Sequence, residues 1–279
     1  MPPELLEAID LVGAAAADLR EADLRIRKRR TLRSIERRLE RDLAKAWRVQ
    51  GKDFLRRFAT LESKFKTEAL REAVSPEDWE ALFTESALAT LSVLREPLSL
   101  AAAASLRLGA RHAIADLAAD LTFALADPEA VAYLADVGAT RVAGINEVTR
   151  DRLRTLLADA RAGGWSYDRT AAEIRRTFVG FGTPAPQQHI RSRAHLVAVT
   201  ETGDAYEASR RMMANRLASA GLQLEKAWLA VGDARTDADC LANDSQGWIA
   251  VDGVFTSGHE QPTAHPACRC TTEYRRKPS

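Results

Sequence analysis

The sequence predicts a mainly α protein, in which long N-terminal helices lead into a helical domain that ends in a small α+β unit with a Cys/His knot. Three observations carry this prediction. Apolar residues recur at steps of three and four over most of the first 220 positions, and proline and glycine interrupt them where helix ends belong. All three cysteines fall between Cys240 and Cys270, within the one stretch that reads as short strands separated by Gly, Asp and Pro.

Taken in order, residues 4–20 read as a first helix. A second, basic one carries the apolar stripe Leu32, Ile35, Leu39, Leu43, Ala46, Phe54, Phe58, Leu61 and Phe65. Gly51 interrupts that stripe, at a cost of about 1 kcal/mol relative to alanine. Ser75-Pro76-Glu77-Asp78 supplies a capping hydroxyl, a proline at the first helical position and two acids facing the positive end of the helix dipole. The helix it opens is expected to run to about Arg95, where Glu96-Pro97 breaks the pattern. An alanine-rich helix follows, with Leu106, Ala110, Ala113, Leu117, Leu121 and Leu125 on its inner face. Asp127-Pro128-Glu129 opens a short helix to about Gly138, Arg141–Ala162 forms another, and Ser166 caps one through Phe178. Residues 187–220 give the last long helix. Strands are expected at Lys226–Val231, Gly247–Val251 and Thr271–Tyr274.

Forty basic residues oppose thirty-nine acidic ones, so the net charge of +1 favours no partner class. The distribution does. Between Arg20 and Lys66 stand seventeen basic and seven acidic residues, a local charge of +10. Pairing at i, i+4 neutralises only part of it. If exposed, the face carrying Arg27, Lys28, Arg29, Arg30, Arg33, Arg37, Arg38 and Arg41 attracts double-stranded DNA without sequence preference, or an acidic protein surface. No apolar run approaches the roughly 20 residues of a membrane helix. The opening Met1-Pro2-Pro3-Glu4 lacks a secretory signal, so a cytosolic, membrane-free protein is expected.

Phosphate-loop, dinucleotide, HExxH, GxSxG and zinc-deaminase signatures are all absent, no histidine makes a convincing general base, and no catalytic residue is assigned. The cysteines have a different use. His265, Cys268 and Cys270 offer three soft or borderline donors in one turn and Cys240 a fourth, the Cys3His set that zinc takes in structural sites. A loop-rich segment of this size usually needs such a staple. The competing reading makes the same residues half-buried thiols and a turn-capping histidine.

From Gly138 onward the order of residues resembles the Mu F-like phage head morphogenesis family, the minor capsid proteins that accompany the portal. The resemblance is carried by Thr149-Arg150-Asp151-Arg152-Leu153, Gly164-Trp165-Ser166-Tyr167-Asp168, Ile174-Arg175-Arg176-Thr177-Phe178 and the run from Arg193 to Thr202. Trp228, Asp233, Arg235, Cys240, Phe255, Pro262 and His265-Pro266-Ala267-Cys268-Arg269-Cys270 complete it. Two departures stand out: Val199 precedes Thr200-Glu201 where an arginine is common, and Cys240-Leu241-Ala242-Asn243 replaces a common Cys-x-x-Cys. The resemblance implies a virion component attached to the portal protein inside the capsid in a few copies, made in the host cytoplasm and sometimes associated with DNA during packaging or ejection. It also marks Arg193, Thr200, Glu201, Trp228 and Asp233, which read as structural, with Glu201 anchoring its helix to the small unit by an ion pair. The expected organisation is a helical region over 1–138 and a Mu F-like domain over 139–279, with the small unit at about 221–279 and no enzymatic activity. The alternatives are a zinc-dependent enzyme acting on nucleic acid or peptidoglycan, which needs an open coordination position, and a non-specific DNA-binding helical protein.

Overall fold

The structure, a computed structural model, describes residues 3–62, 75–183 and 191–278. Its longest element, α1, runs unbroken from Pro3 to Phe58, so the two N-terminal helices expected from the sequence are one. A 3-10 turn over Ala59–Leu61 follows; Phe65, the last residue of the expected stripe, lies outside the described residues. Then come α2 (Pro76–Ala89), α3 (Leu91–Asp116), α4 (Pro128–Asp136), α5 (Val142–Ala162), α6 (Tyr167–Gly180) and α7 (Arg193–Ser219). The chain ends with β1 (Leu224–Leu229), α8 (Ala238–Ser245), β2 (Ile249–Ala250) and β3 (Thr271–Arg276). No single helix among the described residues is long and apolar enough to cross a membrane.

Where local chemistry is decisive, sequence and structure agree. Ser75 accepts from the Asp78 amide while the Asp78 carboxylate accepts from the Ser75 amide, a full capping box ahead of Pro76. Ser166 caps α6 in the same way through the Arg169 amide.

Where tertiary packing competes, they differ. Pro97 does not break the chain: it lies inside α3, flanked by the fully buried Leu94 and Leu98, and the break falls at Thr90. The burial of these two leucines outweighs the amide hydrogen bond that proline forfeits. The alanine-rich helix stops at Asp116, with Ala118 in the left-handed region (φ 47°), so Leu121 and Leu125 lie on irregular chain. There every second residue is half-buried, the period of extended chain, and Leu121 packs beside Leu117, Leu217 and Tyr274. A π-turn, Val137–Arg141, replaces the expected break between α4 and α5.

The chain forms two units, one from Met1–Ile35, Ala103–Ala130 and Val199–Ser279, the other from Glu36–Ala102 and Val131–Ala198. The second unit has an aromatic core: Phe58 stacks on Trp79 at 5.2 Å and on Tyr167 at 5.0 Å, and Trp47 meets the edge of Phe181 at 5.3 Å. Gly51 belongs to that core. A Cβ there would sit 2.7 Å from Phe178, so the residue that weakens the helix in isolation lets α6 approach it. In the first unit an antiparallel sheet in the order β2-β1-β3 pairs Trp228 with Thr272, and α7 packs beside it through Ala214 and Leu217.

Gly109 is the tightest close approach in the first unit, where an added Cβ would lie 2.1 Å from the Tyr206 carbonyl oxygen and 2.2 Å from Ser209 Oγ. Gly109→Ala is expected to destabilise by at least about 1–3 kcal/mol, because backbone has to move. Gly144→Ala, with nothing within 4 Å of its Cβ, is expected to stabilise by about 0.5–1 kcal/mol through helix propensity. Thermal melts check both, and shifts of the same sign would contradict the packing argument.

Candidate metal centre

The segment between β1 and β3 brings the cysteines together because helix and turn fix them separately. Asp237 caps α8 by accepting from the Asp239 amide at 2.9 Å, and Cys240 sits in the first helical turn. Sequence reading takes this segment for irregular chain and misses α8, although Asp237 is an ordinary N-cap signal. His265 to Cys270 forms a tight turn closed by the Cys268 amide bonding the His265 carbonyl at 3.1 Å. Ala267 holds a left-handed φ of 60°, and its amide donates to Thr200 Oγ1 at 2.9 Å, which pins the turn to α7. Trp228, Ala230 and Phe255 pack against the sulfurs, with Phe255 edge-on to Trp228 at 5.2 Å.

The result is a buried cluster of donors. Cys240, Cys268 and Cys270 are at most 3% exposed, and their sulfurs all lie within 4.8 Å of one another, close enough to hold a metal ion. Cys240 Sγ stands 3.8 Å from Cys268 Sγ and 3.4 Å from His265 Nε2. A tetrahedral zinc ion at about 2.3 Å from sulfur and about 2.0 Å from nitrogen sets edges of roughly 3.8 Å between sulfurs and roughly 3.5 Å between sulfur and nitrogen. Both measured edges match. The other imidazole nitrogen, Nδ1, lies 3.0 Å from the Pro266 carbonyl oxygen, the outer contact that orients a ligating histidine.

Electrostatics within the cluster are strongly coupled. Hydrogen bonds from Cys240 and Cys270 hold the Cys268 thiol far below its ordinary value, with His265 and Lys28 adding to the shift. Cys240 is driven up, chiefly by its hydrogen bond to Cys268. Cys270 is pushed up to about 11: its hydrogen bond with Cys240 lowers it, but the bond to Cys268 and burial outweigh that. The hydrogen bond to Cys268 also raises His265 to about 9. Both shifts favour a thiolate at Cys268 beside a protonated His265.

The remaining marked residues form the frame. Asp233 takes both terminal nitrogens of Arg269, at 2.8 and 2.7 Å, and the Arg235 amide at 3.0 Å, so it clamps the ligand turn to the end of β1; these contacts hold its carboxyl well below the usual range. Among the described residues of the second unit, no carboxylate pairs with Arg193. It lies between Trp47 and Phe181, 4.7 and 4.4 Å from their ring centres, and donates to Thr149 Oγ1 and the Ile145 carbonyl, while burial lowers its pKa to about 10. Glu201 is half-buried on α7. Glu207, six residues on, ties α7 to β3, accepting from Thr271 Oγ1 at 2.7 Å and the Thr272 amide at 3.1 Å. Asn243, standing where a fifth donor is common, is fully buried and holds the loop through Thr256 and Ser257.

The basic set splits. Arg29, Arg30, Arg33, Arg37, Arg38 and Arg41 are exposed on α1. Lys28 is not available to a polyanion: it is 5% exposed and paired with Glu207 at 2.9 Å, because it occupies the buried face of the helix. Arg27 is half-buried and bound to Asp116 at 2.6 Å.

His265 fixes a pH signature. Its pKa is raised, so the stability it contributes to the metal-free fold is complete below about pH 6.5 and is lost as pH rises through about 9. Over the same window its proton leaves and the imidazole becomes free to ligate. The affinity of chelator-treated protein for added zinc is therefore expected to rise between pH 6 and pH 9. His265→Ala should make that rise shallower, and an unchanged pH dependence would show that the imidazole does not hold that proton.

Comparison with known proteins adds a family. Residues 151–273 match the profile of the family described as Phage Mu protein F like protein. No curated protein and no solved structure matches the chain. The matched span takes in the second half of α5, α6 and α7, with Arg193, Thr200, Trp228, Asp233 and all four candidate metal donors. Over residues 151–273 this chain is therefore similar to the Phage Mu protein F like family.

Proposed function

We propose that this protein acts in phage head morphogenesis as a minor capsid protein bound to the portal inside the head. The single observation that carries the proposal is the family match over residues 151–273. In this reading the Cys/His cluster takes zinc as a structural staple. The three clustered cysteines, with His265 in contact with Cys240, supply four donors, the full complement of a closed tetrahedral site, which favours a structural over a catalytic ion. Zinc supplies folding energy there, and the residues around it hold the turn, bury the sulfurs and orient the imidazole.

The exposed cations of α1 support DNA contact as the second part of the reading. Arg37, Arg41, Lys45, Arg48 and Lys52 are all exposed and step by threes and fours along one helix face, over about 22 Å at 1.5 Å per residue. Arg37, Arg41, Arg48 and Lys52 make no ion pair among the described residues, while Lys45 reaches Asp42 at 3.6 Å. A row of unneutralised guanidinium groups releases counterions from phosphates without reading bases.

The assembly role is tested by co-producing the chain with the portal protein of the same phage and by mass spectrometry of purified heads. Co-purification and a few copies per head are expected; absence from heads would end the reading. For DNA, replacing Arg37, Arg41 and Arg48 together by alanine is expected to lower the slope of log affinity against log salt by roughly three, about one per lost phosphate contact. An unchanged slope in a folded variant would remove this face from DNA binding.

A further inference from the structure

The buried face of α1 in the first unit reads Leu24, Lys28, Leu32, with exposures of 4, 5 and 1%. Packing alone asks for an apolar side chain at the centre of such a stripe, since burying an ammonium is costly unless it is paired and hydrogen-bonded. Lys28 is both. Its Nζ lies 2.9 Å from Glu207 Oε1, and Glu207 is fully buried; Nζ also donates to the carbonyl of Cys270. Glu207 in turn holds Thr271 and Thr272, the two residues that follow Cys270. One charge pair therefore joins α1 to the backbone of a candidate metal ligand.

Other contacts of the same helical segment converge on the same elements. Arg20 pairs with Glu273 of β3 at 2.8 Å. Arg27 shares Asp116 with the buried Arg210, which donates to the Thr272 carbonyl at 2.8 Å. The cations along this side of α1 are thus matched to the strand that follows the cysteines, whereas Arg29, Arg30 and Arg33 face outward.

We infer that Lys28 is the outer positioning residue of the metal centre, and that metal binding fastens residues 20–35 of α1 onto the first unit. The inference rests on the reading of Cys240, His265, Cys268 and Cys270 as metal ligands. Three thiolates outnumber the charges of a divalent cation, so the loaded centre is anionic and a buried ammonium beside it is favoured. The effect is mutual: whatever Lys28 adds to metal affinity, the metal adds to the docking of Lys28. The N-terminal part of α1 is then held by the state of a site some 240 residues away in sequence.

The experiment uses the full chain loaded with zinc, its content measured first. Hydrogen exchange over residues 20–35 is expected to speed up about tenfold or more when a chelator removes the zinc, as a locally docked helix is released. Lys28→Met is expected to weaken zinc binding about 10- to 100-fold in competition with a chromophoric chelator, the range typical for outer partners of metal ligands. Because Lys28→Met leaves Glu207 unpaired, the double variant Lys28→Met/Glu207→Gln, which removes both charges, carries the same measurement if the single variant fails to fold by circular dichroism. Zinc held as tightly in a folded variant as in the wild type, or exchange over 20–35 unchanged once zinc is gone, would overturn the inference while leaving the metal site standing. A full chain that takes up no zinc fails at the first step, and the ligand reading falls with everything built on it.

Discussion

The first unit depends on one carboxylate. Glu207 is fully buried on α7, and its hydrogen bonds and ion pair reach other elements: Lys28 on α1, and Thr271 and the Thr272 amide at the start of β3. A buried carboxylate with a single partner would cost more than it returns, but one that accepts from an ammonium, a hydroxyl and an amide has its charge and lone pairs satisfied. Asp116 serves in a similar way one layer over, between Arg27 and Arg210. These contacts fix where α1, α3, α7 and β3 meet, and the cysteine turn starts from that junction.

The Cys/His cluster meets a different problem. The chain from Leu224 to Ser279 contains three short strands and one helix of eight residues, too little regular structure to close a core by itself. Three buried sulfurs, with an imidazole beside Cys240, pack with Trp228 and Phe255 at one point. Thr200 and Asp233 explain how the turn is presented, since one holds the left-handed Ala267 and the other anchors Arg269. Their place in the family pattern follows from positioning.

In the second unit the same economy is achieved with rings and guanidinium groups. Arg193 sits against Trp47 and Phe181 and bonds a hydroxyl and a carbonyl, so its charge is met by π faces and dipoles instead of an acid. Gly51 and Gly182 permit the approach of Phe178 and of Ala44 that this packing needs. The cations left over on α1 have no such use in the fold, which is why their exposure bears on function.

The sequence by itself determined the helical class, the small sheet, the helix caps at Ser75 and Ser166 and the clustering of the three cysteines, because each is set within a few residues by periodicity, side-chain capping or ligand spacing. Packing decided the rest. Nothing local separates Lys28 from Arg29 and Arg30; only the face that α1 turns inward makes one a core residue and leaves the others in water. Pro97 stays inside a helix because Leu94 and Leu98 are buried on either side, and Leu121 leaves the predicted helix because the chain turns at Ala118 and packs it, in extended form, beside Tyr274. Glu207 carries no sequence signal at all. Its role exists only when residues 28, 207 and 271, remote in the chain, share one buried space, where low dielectric makes a paired charge strong and an unpaired one prohibitive.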